Sequence, residues 1–120
     1  MAASSATLHE DPALLGPDAI DRHRATISIM EELEAADWYD QRALATEDPE
    51  LQAILTYARD EEKEHAAMLL EWLRRHDRAL SDHLKAYLFK EGPIRPPKPA
   101  RADTIADGSL AVGSLRGDVP

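Results

Sequence analysis

Glu62 and His65 stand three residues apart inside an otherwise apolar helical stripe. At about 100° per residue, Leu51, Ile54, Leu55, Ala58, Leu69, Trp72 and Leu73 share the face on which both fall. An unpaired buried charge is costly, so a core-facing stripe normally excludes a carboxylate. A Glu-x-x-His pair turned inward is the unit with which helical bundles hold two iron or manganese ions. Metal binding is the first chemistry this spacing suggests. The plainer alternative is a Glu–His hydrogen bond in a core, with no metal.

A third ligand follows from the turn that precedes this helix. Thr46-Glu47-Asp48-Pro49-Glu50 punctuates the chain, with Asp48 as N-cap and Pro49 as first helical residue. With Glu47 as the turn, Glu62 lies 15 residues after it and Glu32 lies 15 residues before it. At about 1.5 Å per residue, both stand roughly 22 Å from the turn and level across a hairpin. Glu32 shares its face with Ala25, Ile29, Ala36, Tyr39 and Ala43, small or semi-apolar residues that permit close packing. It interrupts one face as Glu62 interrupts the other.

Three ligands do not enclose two metals. A four-helix di-metal site takes one Glu from each of two helices and a Glu-x-x-His from each of two others. This chain carries one of each. A two-fold dimer duplicates every residue at its interface, so two hairpins supply Glu32, Glu62 and His65 twice. The carboxylate-rich set favours iron or manganese, although imidazole also admits zinc. Glu31, Glu34 and Trp38 form a separate i, i+3, i+7 face. Those carboxylates could guide cations inward or bind a hard cation; a solvated acidic face is the alternative. Tyr39 could hydrogen-bond a ligand carboxylate or simply pack.

The elements needed to position these residues are two long helices. The first is expected from about Pro17 to Ala45, without internal Gly or Pro. The second is expected from about Pro49 to His76, with Arg74, Arg75 and Arg78 near its negative end. So short a turn makes them an antiparallel hairpin. A third, shorter helix is expected after Ser81 as N-cap, with Leu84, Tyr87 and Leu88 apolar and Gly92-Pro93 as the stop. The fold class is all-α: a two-helix hairpin plus a short C-terminal helix, dimerising into a four-helix bundle. Residues 1–16 read as a loose arm, 17–92 as the helical domain, 93–106 as a Pro-rich linker and 107–120 as a tail.

Composition agrees with a domain that needs a partner. A single small core in 120 residues without cysteine has no disulfide to support it, and oligomerisation is the usual remedy. The absence of cysteine also excludes thiolate sites and fits a reducing compartment. The net charge of −9 is locally concentrated. Residues 31–64 hold 12 acids against 3 bases, Arg42, Arg59 and Lys63. That balance suits cations and argues against nucleic acid. No apolar run approaches the roughly 20 residues that span a bilayer. The opening residues lack a signal-peptide pattern, so the expected location is cytoplasmic.

With these residues in view, the chain resembles the encapsulated ferritin-like proteins. The resemblance rests on Arg22-His23-Arg24-Ala25, on the run from Met30 to Arg42, and on Arg59-Asp60-Glu61-Glu62-Lys63-Glu64-His65-Ala66-Ala67-Met68. Glu71 to Arg75 and Tyr87-Leu88-Phe89 continue it. It implies a ferritin-like bundle with a di-iron ferroxidase centre at a dimer interface, built from Glu32, Glu62 and His65 of both chains. It implies metal access past Glu31 and Glu34, with calcium a candidate occupant, and Trp38 and Tyr39 near the site. It implies an open ring of dimers, a homodecamer, that oxidises Fe(II) as cargo of an encapsulin nanocompartment. Leu110-Ala111-Val112-Gly113-Ser114-Leu115-Arg116-Gly117 resembles the peptide that binds the encapsulin shell. There Leu110, Val112 and Leu115 could fill pockets while Gly113 bends. Two other readings stay open: a di-iron or di-manganese oxidoreductase acting on peroxide or an organic substrate, and a non-catalytic helical adaptor.

Overall fold

The computed structural model describes residues 7–96. Among the described residues three helices appear: α1 (Pro12–Ala45), α2 (Pro49–Arg75) and α3 (Arg78–Tyr87). The described residues contain no strand, and the all-α expectation holds.

Helix α1 starts earlier than its periodicity suggests. Asp11 caps it by accepting from the Ala13 N–H at 2.9 Å, and Pro12 opens the first turn. Asp11-Pro12 is the same signal as Asp48-Pro49, placed where the sequence reads as a loose arm. The turn does not run smoothly into the rest of the helix. Gly16 has φ 81° and ψ 164°, and Pro17 restarts the helix immediately after it. Only glycine adopts such a backbone readily. The long uninterrupted segment begins at Pro17, as expected.

Helix α2 begins as its sequence indicates. Asp48 Oδ1 accepts from the N–H groups of Glu50 at 3.0 Å and Leu51 at 3.4 Å, donors that otherwise lack partners. Arg74 and Arg75 occupy its last turn.

Helix α3 corrects the expected start. Its N-cap is Asp77, which accepts from the Leu80 N–H at 2.9 Å. Ser81 is buried one turn inside, where its hydroxyl accepts from Arg74 Nη1 at 2.9 Å. A carboxylate is an equally good cap, and it freed Ser81 to tie α3 to α2. The helix stops at Tyr87, well before Gly92.

Helices α1 and α2 pack antiparallel along a seam. Among the described residues the buried apolar ones are Ala25, Ala36, Ala43, Ala66 and Leu73. Four alanines and one leucine bring the helices close but bury little area. Met30, Leu33, Ile54, Tyr57 and Met68 remain 46–68% exposed. Single exposed apolar residues are ordinary, but a hairpin with this many leaves a large apolar surface unpartnered.

A separate unit starts at Phe89; its described part, residues 89–96, carries no helix or strand. The targeting-peptide residues Leu110, Val112, Gly113 and Leu115 lie outside the described residues. Among the described residues, no helix is long and apolar enough to cross a membrane.

Candidate metal centre

Glu32 on α1 meets Glu62 and His65 on α2. His65 Nδ1 lies 3.1 Å from Glu62 Oε1 and 3.4 Å from Glu32 Oε1. One ligand atom from each residue falls within 4.8 Å of the others. Among the described residues this is the one cluster of three or more such groups. The level heights expected from counting out from Glu47 are realised in the folded hairpin.

The cluster sits at the edge of the seam. His65 is 41% exposed, Glu32 27% and Glu62 23%. It is sheltered enough to strengthen its electrostatics and open enough to admit an ion. The helical wheel shows which way it opens. Ile54, Glu61, His65 and Trp72 lie within about 40° of one another on α2, with Met68 adjoining them. These residues form one flank, to the side of the seam.

Charge is frustrated here. The Glu62 carboxyl is pushed up, first by a hydrogen bond with Glu32, then by partial burial and the Glu32 charge; His65 opposes this. Two carboxylates that share a site resist simultaneous ionisation. For His65, partial burial disfavours charge, but hydrogen bonds with Glu32 and Glu62 and their negative charges outweigh it. The net is a raised imidazole pKa. A proton on Nδ1 thus offsets part of the acidic pair. A divalent cation would do the same with more charge. Two carboxylates and one imidazole are an oxygen-rich donor set that suits iron or manganese.

The other residues singled out from sequence are not members of this cluster. Glu31 and Glu34 are exposed on α1. Trp38 is 49% exposed and lines a shallow hollow with Gln41 and Arg42. Tyr39 is partly buried, and the Arg42 guanidinium sits 5.6 Å from its ring centroid, a cation–π contact.

Two polar arrangements were not anticipated from sequence. Arg59 Nη1 crosses the seam to Asp40 Oδ1 at 2.8 Å. Glu71 receives both Nε and Nη2 of Arg74 at 2.8 Å and Nε of Arg75 at 2.7 Å. Those two guanidinium groups hold the Glu71 carboxyl down at about 2. The i, i+3 and i, i+4 spacing could have signalled the second arrangement. Arg59 and Asp40 are far apart in sequence and become legible only once the hairpin register is drawn.

Fold and site together define a ferritin-like helical hairpin carrying a Glu/Glu/His cluster that could bind a metal. The chain belongs to the EncFtn-like family, which matches residues 7–91. It is 52% identical to the encapsulated ferritin-like protein of Rhodospirillum rubrum, over 98% of this chain and 94% of that one. It is 32% identical to the encapsulin nanocompartment cargo protein EncC of Myxococcus xanthus, over 75% of this chain and 80% of that one. The crystal structure of protein ne0167 from Nitrosomonas europaea superposes with a TM-score of 0.69 at 56% identity. It covers 72% of this chain and 96% of the other.

Proposed function

We propose that two copies of this chain form a ferroxidase centre that oxidises Fe(II) to Fe(III) with O₂. The observation that carries this reading is the convergence of Glu32, Glu62 and His65. Each chain supplies half of a di-iron ligand set, and a two-fold axis supplies the rest. The exposed apolar flank beside His65 gives the second chain a surface to cover.

The protein's part is binding and charge. Fe(II) is the substrate, and each ion gives up one electron to O₂. Glu32 and Glu62 hold the cation and favour the higher charge of the product. A protonated His65 must lose a proton to become a ligand, so binding and proton loss are coupled. Glu31 and Glu34, exposed and acidic, are proposed to draw cations toward the site, and calcium could occupy them.

The relatives' names carry the cellular reading. One is called an encapsulated ferritin-like protein and another an encapsulin cargo protein. We assign this chain the same setting: a ring of dimers, decameric, held inside an encapsulin compartment. Leu110, Val112, Gly113 and Leu115 of its tail would engage the shell, with the Pro-rich segment before them as linker.

Stopped-flow oxidation of Fe(II) with O₂-uptake measurement tests the activity. Glu32→Ala, Glu62→Ala and His65→Ala should each remove most of it. Full activity in all three would sink the assignment.

A further inference from the structure

The seam between α1 and α2 is built mainly from Ala25, Ala36, Ala43 and Ala66. Methyl groups let helices approach but make shallow ridges, so they specify poorly how far one helix has slid along the other. A slip of one residue moves a ligand by about 1.5 Å and turns it by about 100°. A functional constellation must be held within about 0.5 Å. The short turn and the bond from Gln52 Nε2 to Ala43 O at 2.8 Å hold the end near the turn; farther along, toward the ligands, something other than the alanines has to fix the register.

Arg59 is placed to do so. Its Nε donates to Asp60 Oδ1 on its own helix at 3.0 Å, which fixes where the guanidinium lies. Its Nη1 then crosses the seam to Asp40 Oδ1 at 2.8 Å. The Arg59 side chain is 23% exposed and that of Asp40 42%, so this charge-assisted bond is partly sheltered from solvent. Arg59 comes one turn before Glu62 on the same rigid helix. It stands about 120° around α2 from His65, six residues on. The bond therefore grips one flank of the seam and the ligands meet on the other. It holds α2 in place without occupying a ligand or the face a second chain would cover. Register is consistent along the hairpin: for Ala43–Gln52, Asp40–Arg59 and Glu32–His65, each pair's midpoint falls between residues 47 and 50.

We propose that Arg59, through Asp40, is the positioning residue that sets the register of α2 on α1 and so fixes the spacing of Glu32 from Glu62 and His65. This inference rests on the metal-binding reading above. The test titrates the full-length protein with Co(II), following the visible absorption bands. Arg59→Gln should bind Co(II) roughly tenfold more weakly, the lower end of what groups that orient metal ligands contribute, with shifted bands and unchanged helix content. Asp40→Asn should do the same and keeps the test open if Arg59→Gln misfolds. The double variant should be no worse than either single, because both remove one interaction. Arg59→Lys, which keeps a charge within reach of Asp40, should recover most of the loss. Wild-type affinity and bands in Arg59→Gln or Asp40→Asn would overturn the proposal, as would additive losses in the double variant. A wild-type protein that takes up no Co(II) would instead overturn the metal reading and this inference with it.

Discussion

Replacing Ile54 with Asp should separate the hairpin from its partner while leaving the hairpin folded. Ile54 lies on the same flank of α2 as His65 and is 59% exposed in the single chain. Fully burying an isoleucine side chain gains about 1.5–3 kcal/mol, so the part still exposed accounts for about 1–2 kcal/mol. A two-fold interface uses the residue twice, which doubles this to about 2–4 kcal/mol. At about 1.4 kcal/mol per factor of ten, the dimer should dissociate at a roughly 30- to 700-fold higher concentration. The charge of the new Asp adds to this, so the figure is a lower bound. The hairpin itself loses little, because Ile54 faces water there. Sedimentation equilibrium without metal gives the dissociation constant, and circular dichroism gives the helix content. An unchanged dissociation constant with intact helices would refute the placement of a second chain on the His65 flank.

Two pH dependences follow from the titrating groups. Glu71, held at about 2 against an ordinary 4.5, contributes stability that is fully present above 4.5 and is lost as pH falls toward about 2. Glu71→Gln should flatten the stability curve across that window in acid unfolding; an unaltered curve would remove Glu71 from the account. His65 works in the opposite sense. Its folded pKa is raised, so its contribution to metal-free stability is full below the ordinary 6.5 and lost as pH rises through the higher folded value. Glu62, also raised, acts in the same direction at lower pH. Metal binding needs the deprotonated forms, so stabilisation by Co(II) should grow as pH rises through the raised His65 value. Melting curves with and without Co(II) check this, and a stabilisation independent of pH would count against His65 as a ligand.

Most of the hairpin was legible because its signals are local. Asp48-Pro49 states where α2 begins, and the stripe from Leu51 to Leu73 states which way it faces. Glu32 became visible because two straight helices of fixed rise turn a count from Glu47 into a height. The rest depended on choices that local signals leave open. Asp11-Pro12 matches Asp48-Pro49, yet no apolar period follows it, since Gly16 breaks the chain direction first. Asp77 and Ser81 are both good caps, and which one serves was decided by Arg74 reaching Ser81. The Arg59–Asp40 bond was hidden because a charged residue beside an apolar stripe reads as surface until the neighbouring helix is in place. The cluster was therefore anticipated in its members, whereas what holds them in register came only from the structure.

Native mass spectrometry of the full-length protein, with and without Fe(II), bears most directly on the claim that the site is shared between two chains. A site shared between two chains should hold iron only on assemblies with an even number of chains, at about two ions per pair, and none should be retained by His65→Ala. Iron bound stoichiometrically to single chains, or dimers of wild-type protein that take up none, would contradict it.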